Sequence, residues 1–286
     1  MIKFGYLIVL LAFFSATSHA QYSIELHPID NLDNLGLVHH PQILKMLDLK
    51  GRVYTIRIDE TRFIRQGNRW IEGRRNVRFT ALFDEKGRLR EESQYSTTSD
   101  LVRRSGFVPN PNGGPEVYQV ARSRIQNLWS STPSFGSQDR ILSEDIVLEN
   151  GQTEQRVHTW RENYLLESRN STTSERFSYD FQGNLQKIEI KHENAPLILR
   201  QVFRDDLGRI QRIEWYQDGK LVAHSNLLWN QDTLISQEVF QEGKNYLVEY
   251  GLVDAMGNWQ RKVISEITPN QEKVPLFTRY RRITYY

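Results

Sequence analysis

Cysteine is absent from the 286 residues and methionine occurs three times. Without thiols there is no disulfide framework, no zinc ribbon or iron–sulfur cluster, no cysteine nucleophile and no lipidated N-terminal cysteine. An excess of one charge is lacking too: 37 Lys+Arg stand against 35 Asp+Glu, a net +2. That balance sets up no overall field for nucleic acid or an anionic membrane. The one long apolar run, Phe4 to Ala16, has 13 residues, whereas a helix spanning a bilayer needs roughly 18 to 20. Aromatic content is 11% at a mean hydropathy of −0.59, too rich in rings for disorder and too poor in aliphatic runs for membrane helices.

What is present begins with a leader. Residues 1–20 carry one positive charge at Lys3, then the apolar run, then Ser18-His19-Ala20. This is the layout of a secretory signal peptide cut after Ala20, and it predicts a periplasmic or secreted protein with no transmembrane helix after cleavage. Residues 21–49 show no strand alternation. Pro41 followed by Ile43, Leu44 and Leu47 predicts a short amphipathic helix, so this segment is expected to form an N-terminal helical cap. From Lys50-Gly51 onward the pattern changes to period two, with Val53, Thr55, Arg57 and Asp59 interleaving Tyr54, Ile56 and Ile58, and strand signals continue through residues 50–286.

Turn chemistry sets the architecture. In the second half, turn markers at Gly183, Asn194, Gly208, Gly219, Gln231, Gly243, Gly257 and Asn270 lie 11 to 14 residues apart, which leaves strands of roughly eight to ten residues between tight turns. The expected fold is all-β: an antiparallel meander of about 14 to 16 strands, curled by twist into an open trough or a barrel-like sheet. Two breaker-rich stretches, Ser105–Pro115 and Ser130–Ser137 with Pro133 and Gly136, read as long loops bracketing Glu116–Trp129, either a crossover or a binding loop.

Aligning the turns exposes a repeat. Residues 177–190 match residues 202–215 apart from one inserted turn residue, and residues 79–89 and 250–259 are degenerate copies. The unit is an aromatic residue, an acid, a short gap, glycine, any residue, and a large apolar residue. The acid can cap the turn, glycine supplies positive φ, and the apolar residue covers the turn. The structural repeat turns are therefore Asp84 with Gly87, Asp180 with Gly183, Asp205 with Gly208 and Asp254 with Gly257, joined by the simpler turns at Gly219 and Gly243. Leu185 and Ile188 lie three apart, as do Ile210 and Ile213. This demands either a bulge after the turn or an apolar residue on each face.

With Tyr179-Asp180 ahead of a glycine turn, the chain resembles the RHS or YD-repeat proteins, and in particular short exported bacterial members. Those open on a Lys-Gly-x-Val strand, here Lys50 to Val53, and close on Gly-Asn-Trp and a tyrosine-rich strand, here Gly257-Asn258-Trp259 and Tyr280–Tyr286. The resemblance covers roughly residues 49–286. It implies a β-sheet scaffold without family-wide catalytic residues.

A search for chemistry finds little. No two histidines have metal-ligand spacing; His39-His40 reads as a solvated helix entry and His158 as an outward or cross-strand residue. There is no Gly-x-Ser-x-Gly elbow, phosphate loop or His-Glu-x-x-His. The acidic pairs Asp59-Glu60, Glu144-Asp145 and Asp205-Asp206 read as turn and ion-pair residues rather than a glycosidase pair. No cofactor is expected. The arginine doublets Arg74-Arg75, Arg103-Arg104 and Arg281-Arg282 are expected in cross-strand ion pairs, with contact to an anionic glycan or acidic partner as the alternative. The candidate binding surface comprises Trp160, Trp215, Trp229, Arg103 and Arg104.

The expected function is a non-catalytic exported binding protein on a YD-repeat-like scaffold, its partner an unknown protein, peptide or glycan of the cell envelope and not nucleic acid. A periplasmic immunity or inhibitor protein is a specific version of it. A glycan-active enzyme and an outer-membrane barrel are the alternatives; arginine on both faces of residues 279–286 argues against lipid contact.

Overall fold

The computed structural model describes residues 49–286 apart from 111–112, 114–115, 122–126, 137–139 and 163. The expected signal peptide and helical cap lie outside the described residues, except for Leu49. Eighteen strands follow: β1 (Val53–Gln66), β2 (Arg69–Phe83), β3 (Leu89–Tyr95), β4 (Leu101–Val108), β5 (Val117–Ala121), β6 (Asn127–Phe135), β7 (Ile141–Leu148), β8 (Thr153–Arg161) and β9 (Tyr164–Arg169), then β10 (Thr173–Tyr179), β11 (Leu185–His192), β12 (Ile198–Arg204), β13 (Ile210–Gln217), β14 (Lys220–Asn230), β15 (Thr233–Gln241), β16 (Lys244–Tyr250), β17 (Arg261–Ile267) and β18 (Lys273–Tyr285). Each pairs antiparallel with the strands before and after it. β18 pairs with β1 from Val53↔Tyr285 to Arg62↔Phe277, so the meander closes into a barrel.

The count exceeds the expected 14 to 16 because two stretches read as loops are partly strands. Ser105–Val108 completes β4. Gly106 fits there because a Cβ would stand 2.8 Å from the Arg90 carbonyl oxygen, so the close approach to β3 requires glycine. Ser130–Phe135 belongs to β6, where Pro133 sits opposite Glu144 of β7 but beyond the β5 register, which ends at Ser131. A missing N–H costs nothing where no strand asks for it.

Alternation around the ring turns one face of every strand inward. Ile56 and Ile58 of β1, Ala81 and Phe83 of β2, Tyr118 and Val120 of β5, Leu165 of β9, Phe177 of β10 and Ile188 of β11 form one buried cluster, each at most 5% exposed. Val239, Tyr246, Val248, Ile264 and Phe277 form a second on β15 to β18. At about 1.5 to 3 kcal/mol per large side chain, this interior drives closure.

Because strands alternate in direction, turns after even-numbered strands gather at one rim and turns after odd-numbered strands at the other. All four Asp-type turns lie at the first rim, and each is followed by a register irregularity or bridge. Skipping a residue there brings the residue before the turn opposite the apolar residue after it, as in Phe83↔Leu89, Tyr179↔Leu185 and Arg204↔Ile210; two other turns of this rim carry the same irregularity, at Trp160↔Leu165 and Trp229↔Leu234. Thus the bulge, not an apolar residue on each face, explains Leu185 and Ile188, both of which pack in the first cluster.

Side-chain hydrogen bonds stitch hairpin to hairpin along this rim. Trp160 Nε1 donates to the Ile141 carbonyl at 2.7 Å, the Tyr179 hydroxyl to Leu165 at 2.9 Å, and Trp229 Nε1 to Ile210 at 2.7 Å. In each case an aromatic residue before one turn reaches the residue after the preceding one. The closing seam uses the same device: the Tyr286 hydroxyl donates to the Phe83 carbonyl at 2.7 Å. Asn258 Nδ2 donates to the Lys50 carbonyl and the Tyr285 hydroxyl, and Asn258 Oδ1 accepts from the Lys50 N–H. Lys50, Asn258 and Tyr285 come from the three segments on which the family resemblance rests.

Candidate functional site

The turn residues fall on both rims. Asp84, Asp180, Asp205 and Asp254 each accept, through Oδ1, the N–H groups two and four residues on, at 2.8 to 3.0 Å. Gly87, Gly183, Gly208 and Gly257 each adopt φ of 77° to 82°. The Arg209 guanidinium holds the Asp205 carboxyl below its ordinary range, with the Arg209 and Leu207 N–H groups adding to the effect. Gly219 and Gly243 sit on the opposite rim behind Asp218 and Glu242, both also at positive φ, in two-residue hairpin turns. Their carboxylates face the backbone and solvent, and this geometry is that of a scaffold.

Trp160, Trp215, Trp229, Arg103 and Arg104 do not form one surface. Trp160 packs against the first interior cluster. Trp215 shares the inward parity of buried Ile213, and the Arg200 guanidinium lies 5.3 Å from its ring. Trp229 shares the inward parity of buried Ala223 and Ser225 on β14. Arg103 shares the parity of fully buried Ser105, whereas Arg104 points outward to Glu91 at 2.8 Å. Adjacent residues on a strand face opposite ways, so a doublet cannot act as one patch. Arg281 is likewise buried, bonded to the Trp259 carbonyl and 4.0 Å from the Trp259 ring.

Two constellations were not legible as sites. The first crosses the interior from β6 to β10. Ser131 Oγ donates to Glu144 Oε1 at 2.9 Å, and Glu144 Oε2 lies 3.2 Å from His158 Nε2. His158 stands opposite Ser168, and Ser168 opposite Glu175. His158 is therefore an inward cross-strand residue, not an outward one. All five residues are at most 7% exposed. His158 Nδ1, Ser168 Oγ and Glu175 Oε2 have no hydrogen-bonding partner among the described residues. Burial pushes the Glu175 carboxyl up to about 7, opposed by Arg156 and reinforced by the Glu144 charge. Hydroxyl, imidazole and carboxyl side by side are the residue types of nucleophilic catalysis, and here all five are buried.

The second constellation is the far end of β1 and β2. β18 accompanies β1 only as far as Arg62, and β3 joins β2 only at Phe79. From Phe63–Gln66 and Arg69–Glu72 the two strands pair only with each other and project beyond the barrel. Residues 61–78 hold six arginines and one glutamate, +5, so the other 268 residues carry −3. Arg65, Arg69, Arg74 and Arg75 are exposed and have no carboxylate partner among the described residues. The single acid, Glu72, is occupied by Arg261, Thr278 and Tyr280. Partial burial pushes its carboxyl up, but these donors outweigh that and leave it below its ordinary range.

The register sorts the hairpin into two faces. Ile64 faces Ile71 and Gln66 faces Arg69 on one; Arg65 faces Trp70 and Phe63 faces Glu72 on the other. On the second face the Arg65 guanidinium lies 5.9 Å from the Trp70 ring and that of Arg75 lies 3.5 Å from the Tyr280 ring. Beside the first face is a recess of about 270 Å³ lined by Glu60, Arg62, Ile64, Gly73, Arg74, Asn76, Arg78 and Thr97. Its floor is a buried ion cluster, Glu60 between Arg279 at 2.9 Å and Arg78 at 3.7 Å. A windowed charge count marks this hairpin in the sequence, whereas considering arginine doublets singly hides it. No such signal marks the inner row, whose members share a face only once the bulges are placed.

No protein-family model matches the chain, and no curated protein matches it. Among solved structures it is similar to a porin-like protein from Bacteroides uniformis, at 10% identity over 82% of this chain and 99% of that one, with a TM-score of 0.44. A porin-like protein from Bacteroides vulgatus is similar at 9% identity over the same shares, with a TM-score of 0.35. TcdB2-TccC3 is similar at 10% identity and a TM-score of 0.39, over 77% of this chain but only 15% of its own length. These likenesses are too distant to carry an argument about activity.

Proposed function

We propose that the protein is an exported, non-catalytic binding protein that engages an acidic envelope ligand through the projecting β1–β2 hairpin. The observation that carries this reading is the set of four exposed arginines on and beside that hairpin, Arg65, Arg69, Arg74 and Arg75, which meet no carboxylate among the described residues. Concentrated positive charge on a projecting element steers an anionic partner toward it. Exposed Ile64, Trp70 and Ile71 add apolar area beside those charges. An immunity or inhibitor protein is one form this function takes.

What supports a water-facing barrel is its outer surface. On the outward parity of β9, β10 and β11, Glu167 and Arg176 pair at 3.2 Å and Lys187 and Glu189 at 2.7 Å. Glu91 and Arg104 do the same on β3 and β4, and Arg212 and Glu214 on β13. Cations held against lipid cost about 2 to 4 kcal/mol each near the midplane. The nearest-neighbour closed meander favours the second reading, an outer-membrane barrel, because that connectivity is the one membrane barrels use.

The test is retention of envelope components by the tagged protein and by an Arg65→Glu, Arg69→Glu, Arg74→Glu, Arg75→Glu variant. The proposal expects a ligand held by the parent and released by the variant; equal retention would overturn it. Extraction without detergent favours the water-facing barrel, and heat-modifiable gel mobility in the outer-membrane fraction favours the second reading.

A further inference from the structure

The same hairpin carries a second property, independent of its charge. Along β2 from Arg69 to Arg75 one edge pairs with β1 and the other meets no strand among the described residues, since β3 begins its register at Phe79. Just beyond, the edge is already occupied: Asn76 Nδ2 donates to the Thr97 carbonyl at 2.7 Å and the Val77 N–H to Ser99 Oγ at 3.1 Å. The open row is seven residues, about 23 Å long at strand rise. Bulged at Gly73-Arg74, where the β1 register steps from Thr61↔Arg75 to Phe63↔Glu72, it presents backbone donors and acceptors, the template that an added strand uses. Gly73 lies in this row, and a Cβ there would stand 2.9 Å from Ile64 Cδ1 and 3.1 Å from the Arg62 carbonyl oxygen.

We propose that an extended acidic segment of a partner protein adds to the Arg69–Arg75 edge of β2 as a further strand. This rests on the binding reading above and names its partner class and mode. An incoming strand places its side chains beside those of β2 on both faces, within about 4.5 to 5.5 Å for directly opposed residues. On the recess face it meets Arg69, Ile71 and Arg74; on the other it meets Trp70, Glu72 and Arg75. Carboxylates on the first face answer Arg69 and Arg74, and an apolar residue on the second answers Trp70. A second copy of this chain is a poor occupant, because edge-to-edge pairing sets one +5 hairpin against another. A glycan offers carboxylates or phosphates but no ladder of amides to match the open backbone.

The experiment uses the exported chain and three probes: a fluorescent peptide of about eight residues alternating Glu and Val, the same peptide N-methylated at alternate amides, and inorganic polyphosphate. Strand addition expects the first peptide to bind, the methylated one to lose about tenfold or more in affinity at unchanged charge, and Arg69→Glu, Arg74→Glu to lose a similar factor. Methylation leaves the protein untouched, so that arm stands even if a variant misfolds. Equal binding of the two peptides, or binding of polyphosphate alone, overturns strand addition. If the peptide fails while the four-arginine variant still releases an envelope ligand, strand addition falls and the binding reading stands; if that ligand is also retained, both fall.

Discussion

At the rim where Asp84, Asp180, Asp205 and Asp254 turn the chain, aromatic and aliphatic side chains fold inward and Trp160, Tyr179 and Trp229 each bond their hairpin to the one before it. At the opposite rim the longest hairpin outruns the ladders beside it, with four guanidinium groups that meet no carboxylate among the described residues and with exposed Ile64, Trp70 and Ile71. One rim spends its side chains on the fold, and the other leaves them for solvent or a partner. The difference teaches where to look for function in a chain whose repeats are conspicuous: away from the residues that make the repeat. A repeat turn must satisfy its own backbone, so its acid and glycine have no valence left for a ligand.

That contrast can be broken or sharpened by mutation. The largest effect is expected inside: Phe177→Ala, in the cluster below the Asp rim, should lower unfolding free energy by about 4 kcal/mol, read from urea midpoints. Ile71→Ala on the hairpin should change it by less than about 0.5 kcal/mol. A fall of similar size at both sites would show that the hairpin is part of the core after all.

Next comes the buried row between the rims. The folded state raises the Glu175 carboxyl from 4.5 to about 7. Its neutral form is the one the fold favours, so Glu175 leaves stability intact below pH 4.5 and subtracts from it as pH rises from 4.5 through 7. Glu175→Gln should therefore stabilise by about 3 kcal/mol at pH 8 and by less than about 1 kcal/mol at pH 5. The measurement is the pair of urea midpoints at the two pH values; a pH-independent difference would show that Glu175 is not the titrating group.

Smaller again is the turn itself. Asp84→Ala removes acceptors for the Lys86 and Arg88 N–H groups and for Arg88 Nε, at a cost of about 1 kcal/mol. Thermal unfolding should show it, with envelope-ligand retention unchanged. The smallest stability effect belongs to Arg74→Ala, expected within about 0.5 kcal/mol but weakening retention. Loss of retention in the Asp84 variant with none in the Arg74 variant would reverse the roles assigned to the two rims.

Much of the scaffold is legible in the sequence because turn chemistry is local. Asp180 and Gly183 announce their turn through residues within five positions of each other, and period-two alternation announces β1. β4 and β6 are harder, since Gly106 and Pro133 are breakers by composition and tolerated only because of what lies beside them. Trp215 reads as a binding residue because an aromatic on a strand carries no label for inside or outside; Ile213 two positions away supplies it once the register is known. The row from Ser131 to Glu175 is harder still, being assembled from five strands. The hairpin is the reverse case: its charge is countable from residues 61–78, but its open edge appears only when β3 and β18 are seen to stop short.

The seam between β1 and β18 joins residues more than two hundred positions apart, as in the Thr55 and Thr284 hydroxyl contact with a separation of 229. Every other ladder can zip up locally as its hairpin emerges. β1 alone holds one edge unpaired until β18 arrives, and that loop closure is the slow, entropy-limited step of the topology. A newly made chain thus passes through a stage with two exposed strand edges, the form most open to pairing with a wrong molecule. Its folding yield is expected to depend on how fast the ring shuts.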